Sequence, residues 1–110
     1  KELVLAATEG DLATMKYHLD MGINPNFQHP EFMTTPLLEA IKVRRREAVR
    51  ILLEHPVNRA DPTLAEYWEG NTPMEEAIQV RDHAIVDMLL KVLPKGEDYE
   101  NACLTIWMTT

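Results

Sequence analysis

Apolar positions recur at helical spacing in six stretches of the chain. Near the N-terminus Leu3, Ala6 and Ala7 mark one inward face, and Leu12, Met15 and Leu19 mark a second after a turn at Gly10. Leu37, Ala40 and Ile41 repeat the first pattern. Val49, Leu52 and Leu53 repeat the second, with Ala48 and Ile51 beside them. Met74, Ala77 and Ile78 begin a third round, completed by Ile85, Met88, Leu89 and Val92. On this last helix His83, Asp87 and Lys91 recur at i, i+4 and i+8 as a wet face. Each pair has too little apolar area to close a core by itself, so the pairs are expected to stack.

The repetition extends to the letters. "TTPLLEAIKVRR" (34–45) and "NTPMEEAIQVRD" (71–82) match at 7 of 12 positions, 37 residues apart. Each contains Thr-Pro. The Thr hydroxyl suits an N-cap, and Pro at the first helical position gives up only an N–H that has no helical acceptor. Glu75, three residues after Thr72, completes a capping box. Thr35 and Thr72 are therefore expected to open helices of about nine residues, two to three turns at 3.6 residues each. Leu3 to Leu37 is 34 residues and Leu37 to Met74 is 37, so the chain reads as three units of near-constant length. The connections are long: 54–71 is 18 residues, with two Pro and one Gly and little helical periodicity.

These features resemble the ankyrin repeat family, whose units carry a G-x-T-P-L-x-x-A signature, a helix pair ending in Leu-Leu, and a Gly-Ala-Asp-x-Asn turn leading into a hairpin finger. Gly70, Thr72, Pro73 and Ala77 fit the first motif, with Met74 for Leu. Thr35, Pro36, Leu37 and Ala40 repeat it, with Met33 where Gly would sit. Leu52-Leu53 and Leu89-Leu90 match the helix end; Gly22-Ile23-Asn24-Pro25-Asn26 and Ala60-Asp61-Pro62 look like the turn. The chain departs from the pattern where the family usually has His after T-P-L, since Val4, Leu38 and Glu75 stand there. Extra residues before the third unit should lengthen or bulge its finger. A tetratricopeptide array has a similar period but uses short turns, which the 18-residue connection does not fit.

The resemblance implies an all-α ankyrin-repeat solenoid of stacked helix-turn-helix units with β-hairpin-like finger loops, forming a single domain over 1–110. Its repeats are expected at 1–23, 34–54 and 71–93. In the tail Tyr99, Ala102, Cys103, Ile106 and Trp107 follow helical spacing, which predicts a capping helix over 97–109.

Composition narrows the function. Apolar residues make up 45% and charged residues 26%, as in ordinary globular domains. No apolar run reaches the ~18 residues of a membrane span. The first residues lack the pattern of a secretory signal, and the start without Met inside an apolar pattern suggests a fragment of a longer chain. Net charge is −7, placed as −3 over residues 1–43, +3 over 44–59 and −7 over 60–110. Nucleic acid is an unfavourable partner for such a surface. The basic run Arg44, Arg45 and Arg46 is expected to be solvated at the helix turns.

Chemistry finds little support. The chain has no Ser, and its single Cys103 lies in an apolar helical pattern with no His or other base nearby. His18, His29, His55 and His83 are 11, 26 and 28 residues apart, without metal-ligand spacing. The four Gly are scattered at turns, so no phosphate-cradling loop is present. Neither a catalytic activity, a metal nor a cofactor is expected.

What the resemblance does imply is a concave groove, lined by finger loops and first helices, that holds another protein in the cytoplasm or nucleus. Position by position, the partner-binding residues become Phe32, Thr34, Tyr67, Trp68, Glu69 and Asn71 on the fingers. Lys42, Val43, Gln79 and Val80 are those on the helices, with Thr8 and Glu9 as their first-unit counterparts. The acidic group Glu66, Glu69, Glu75 and Glu76 around Trp68 suggests a basic, partly apolar peptide as ligand. The alternative is a regulatory ankyrin segment of a larger enzyme or ion channel, touching its own parent chain.

Overall fold

The computed structural model describes residues 2–28, 34–65 and 70–92. Among them lie six helices: α1 (Leu3–Glu9), α2 (Leu12–Asp20), α3 (Pro36–Lys42), α4 (Arg46–Glu54), α5 (Pro73–Gln79) and α6 (His83–Val92). The first helices form one layer, α1 on α3 on α5, and the second helices another, α2 on α4 on α6. All three first helices are 7 residues long, and α3 and α5 are shorter than expected. The shortening has a common cause, a left-handed residue that stops each helix early.

That residue is Gly10 (φ 75°), Arg44 (φ 58°) or Arg81 (φ 56°). After it the chain closes the same turn three times. The N–H of Asp11 reaches the carbonyl of Ala6 at 2.9 Å, Arg45 that of Ala40 at 2.8 Å, and Asp82 that of Ala77 at 3.3 Å. This is the Schellman arrangement, which satisfies helix-end carbonyls that would otherwise lack donors. Ala6, Ala40 and Ala77 are wholly buried, and any larger side chain there would push the layers apart. Gly10 is required on two counts. An added Cβ would sit in left-handed backbone and 3.3 Å from Cδ of Arg45. We expect Gly10→Ala to cost about 1–2 kcal/mol in urea unfolding, from the left-handed strain plus displacement of Arg45. A neutral result would mean that the turn relaxes freely.

Starts are as regular as stops. Thr35 Oγ1 accepts from Leu38 N at 3.3 Å and Thr72 Oγ1 from Glu75 N at 3.2 Å; Glu75 returns a carboxylate oxygen to Thr72 N, also at 3.2 Å. Asp11 caps α2 through Thr14 N, and Asp82 caps α6 through Ala84 N and Ile85 N. The equivalent residue of α4 is Arg45, which makes no side-chain cap.

One core runs through the layers, from Leu3 and Met15 through Leu37, Ile41, Val49 and Leu52 to Ile85 and Leu89. Beyond the helices the loops stack as well. Asn58 Nδ2 donates to Leu19 O at 2.7 Å, Asn26 Nδ2 to Arg59 O at 3.2 Å, and Gln28 Nε2 to Ala65 O at 3.0 Å. His55 is buried at the end of α4. Its Nδ1 accepts from the N–H groups of Val57 and Asn58, so its proton sits on Nε2, 2.8 Å from Asp20 Oδ1.

Candidate functional site

Stacking converts the sequence repeat into rows. Thr8, Lys42 and Gln79 occupy the same place at the ends of α1, α3 and α5, and Glu9, Val43 and Val80 the next place along. Because α3 packs against both α1 and α5, these residues lie on neighbouring elements. Their exposure grades along each row. Lys42 is half-buried and Gln79 exposed, whereas Val43 is exposed and Val80 half-buried against the core.

The arginines at the turns fix these rows. Arg45 Nε donates to Thr8 O at 3.0 Å, and Arg44 donates to Val80 O. Arg46 Nε reaches both carboxylate oxygens of Asp82, at 3.1 and 3.0 Å. The middle repeat thus clasps α1 on one side and the α5–α6 turn on the other. The sequence leads one to expect a basic run that is merely solvated. Its side chains are exposed, but they also bridge the repeats. Alignment of Gly10-Asp11, Arg44-Arg45 and Arg81-Asp82 in the sequence places these arginines at the inter-helix turn, where a long donor reaches the next unit. Together with Gly10, Leu12 and Asp82 they line an open cleft of 560 Å³ at that edge.

Asp82 is the charged centre of the clasp. Burial would raise its pKa, but the hydrogen bond and charge of Arg46 and the N–H groups of Ile85 and Ala84 outweigh this and hold it below the usual carboxylate value.

Two expected site residues are placed differently. Thr34 is only 2% exposed, and its hydroxyl has no partner among the described residues, so it sits under the surface rather than on a finger tip. Asn71 is half-buried, and its Nδ2 donates to Glu76 Oε1 at 3.1 Å. Glu76 is itself 4% exposed, which withdraws it from the acidic face. Its carboxylate turns inward because Asn71 supplies a donor there. Glu75 stays exposed in its capping box. Phe32, Tyr67, Trp68 and Glu69 lie outside the described residues, as do Glu66 and the expected capping helix at 97–109.

Among the described residues no cluster of three His, Cys, Asp or Glu could hold a metal ion, and no helix is long and apolar enough to cross a membrane.

Residues 3–102 match the family model for ankyrin repeats, in 3 copies. The chain belongs to the ankyrin-repeat family. The ARF GTPase-activating protein GIT1 of Homo sapiens is similar to it, 30% identical over 91 residues, as are the proteins of the same name from Mus musculus and Rattus norvegicus. The match covers 83% of this chain and 11% of each relative, so the chain spans about a ninth of the length of those proteins. Ankyrin repeats are in general protein-interaction modules and typically carry no enzymatic chemistry of their own.

Proposed function

We propose that this ankyrin array holds a basic, partly apolar segment of another protein along the rows formed by α1, α3 and α5 and their finger loops. One observation carries the reading: Lys42, Val43, Gln79 and Val80 fall in adjacent rows on a frame clasped by Arg44, Arg45 and Arg46. A frame clasped between repeats presents its rows with less backbone ordering left to do on binding. The charge of −7 over residues 60–110 supports the choice of a basic ligand, which such a field would steer toward the third repeat. Trp68 and Glu69 would anchor it from the finger. The working compartment would be cytoplasm or nucleus.

The test is a panel of basic peptides with and without aromatic and aliphatic residues, titrated by fluorescence anisotropy. Val43→Arg with Gln79→Arg, both at exposed positions, should weaken the best binder about tenfold, and Trp68→Ala with Glu69→Ala similarly. Raising the salt should slow association more than it speeds dissociation. Affinity indifferent to both double variants would abolish the reading.

A second reading follows from the small share of the relatives that the array covers. Here the same rows would hold a segment of a longer parent chain and regulate it. Competition between the isolated array and the intact parent for one peptide separates the two, because an occupied groove in the parent binds the peptide more weakly.

A further inference from the structure

The first repeat leaves uncovered a set of positions whose counterparts in the second repeat are buried or half-buried. Of eight large apolar side chains exposed among the described residues, five belong to it: Leu5, Tyr17, Met21, Ile23 and Phe27. Their counterparts are found by a shift of 34 residues in the helices and 37 in the loop. Tyr17, at 61% exposure, corresponds to Ile51 and Met88, both packed on the core. Ile23, at 46%, corresponds to Ala60, at 4%. Met21 matches the buried His55 in the second repeat and the 39%-exposed Val92 in the third, Leu5 matches the half-buried Glu39 and buried Glu76, and Phe27 matches the half-buried Leu64.

Beside Ile51, His55 and the turn at Ala60 lies the preceding repeat. Ile51 and His55 face Leu12, Lys16 and Asp20 of α2 across a shared groove. On either side of Ala60, Arg59 O and Asp61 N are held by Asn26 of the first repeat. The quasi-symmetry of the stack therefore specifies an occupant. We infer that the face of Leu5, Tyr17, Met21, Ile23 and Phe27 is a stacking surface for a further helix pair of ankyrin type, docked as the first repeat docks on the second. A terminal repeat would carry polar residues at these positions. Instead they are five of the eight large apolar side chains exposed among the described residues. This inference concerns a different face from the groove and does not depend on it.

The probe is a consensus ankyrin helix pair with a polar outer face, fused in register ahead of Leu3. Hydrogen exchange of α1 and α2 amides and the melting temperature are read with and without it, in the original sequence and in Tyr17→Glu with Ile23→Glu. The fusion should raise amide protection in α2 at least tenfold. The double substitution should be silent in the unfused chain and should remove most of that gain in the fused one. Absence of a gain overturns the inference, as does a double substitution with equal effects in both contexts. Sedimentation of the unfused chain supplies the remaining outcome. A dimer that the double substitution dissociates would assign the face to a second copy and reject the helix pair.

Discussion

Leu52→Ala should lower the melting temperature by at least about 8 °C. Leu52 is wholly buried on α4, the central second helix, and its carbonyl also takes the N–H of Ala60 at 2.8 Å. Removing its isopropyl end deletes buried methyl groups and leaves a void that two flanking helices, α2 and α6, hold open from either side. Such a truncation costs about 2–5 kcal/mol, against about 5–15 kcal/mol for a whole domain. At about 4–8 °C per kcal/mol for a domain of this size, even the low end is visible calorimetrically. Position in the stack matters as well. Each repeat contacts only its neighbours, so loss of the middle one uncouples the other two. The variant should therefore melt over a broader range. Val57→Ala, at a 79%-exposed site just beyond the end of α4, should stay within about 0.5 kcal/mol. A Leu52→Ala shift as small as that of Val57→Ala would show that the core tolerates the void by collapsing around it.

The repeating frame is legible in the sequence because it rests on local rules. Thr-Pro at 35–36 and 72–73 announces a cap and a first helical residue before any tertiary contact is known, and Glu75 adds its return bond. The inward positions are legible for the same reason, since 3.6-residue periodicity is a property of one helix at a time. Helix ends are harder. Gly10 signals a left-handed stop, but Arg44 and Arg81 do the same work without the residue type that advertises it. Only the alignment of the three units reveals that they share a backbone conformation.

Side-chain reach is the least legible part. Whether Arg44, Arg45 and Arg46 float in water or bind the next repeat depends on distances across the stack, and those are set by packing of Ala6, Ala40 and Ala77 rather than by the run itself. Thr34 and Glu76 illustrate the converse. Both are polar letters beside a finger, and both are buried, Glu76 because Asn71 offers it a donor. Lys42, Val43, Gln79 and Val80 fall into rows because their spacing follows the repeat, which the sequence does display.

Asp82 joins the local and the long-range rules, and its replacement gives the second large effect. Two substitutions separate its roles. Asn still offers Oδ1 to the N–H groups of Ala84 and Ile85, so Asp82→Asn keeps the cap and loses the charge that Arg46 meets. Arg46 is 60% exposed, so solvent screens the pair, and the loss should be about 1–2 kcal/mol rather than the larger figure for a fully buried ion pair. Asp82→Ala loses the cap too and adds about 1 kcal/mol, leaving two helix-end donors beside a side chain that cannot accept. The pH dependence distinguishes charge from packing. The native state lowers the pKa of Asp82, so the ionised form is favoured on folding, and its stabilisation is complete above the ordinary carboxylate value of about 3.9. It is lost as pH falls through the lower native value. The stability difference between the original sequence and Asp82→Asn, from urea unfolding at about pH 3 to 7, should therefore be flat above about pH 5 and shrink below about pH 4. A difference that stayed constant down to about pH 3 would mean that Arg46 and Asp82 meet as neutral-like neighbours, and that the clasp between the second and third repeats is held by shape alone.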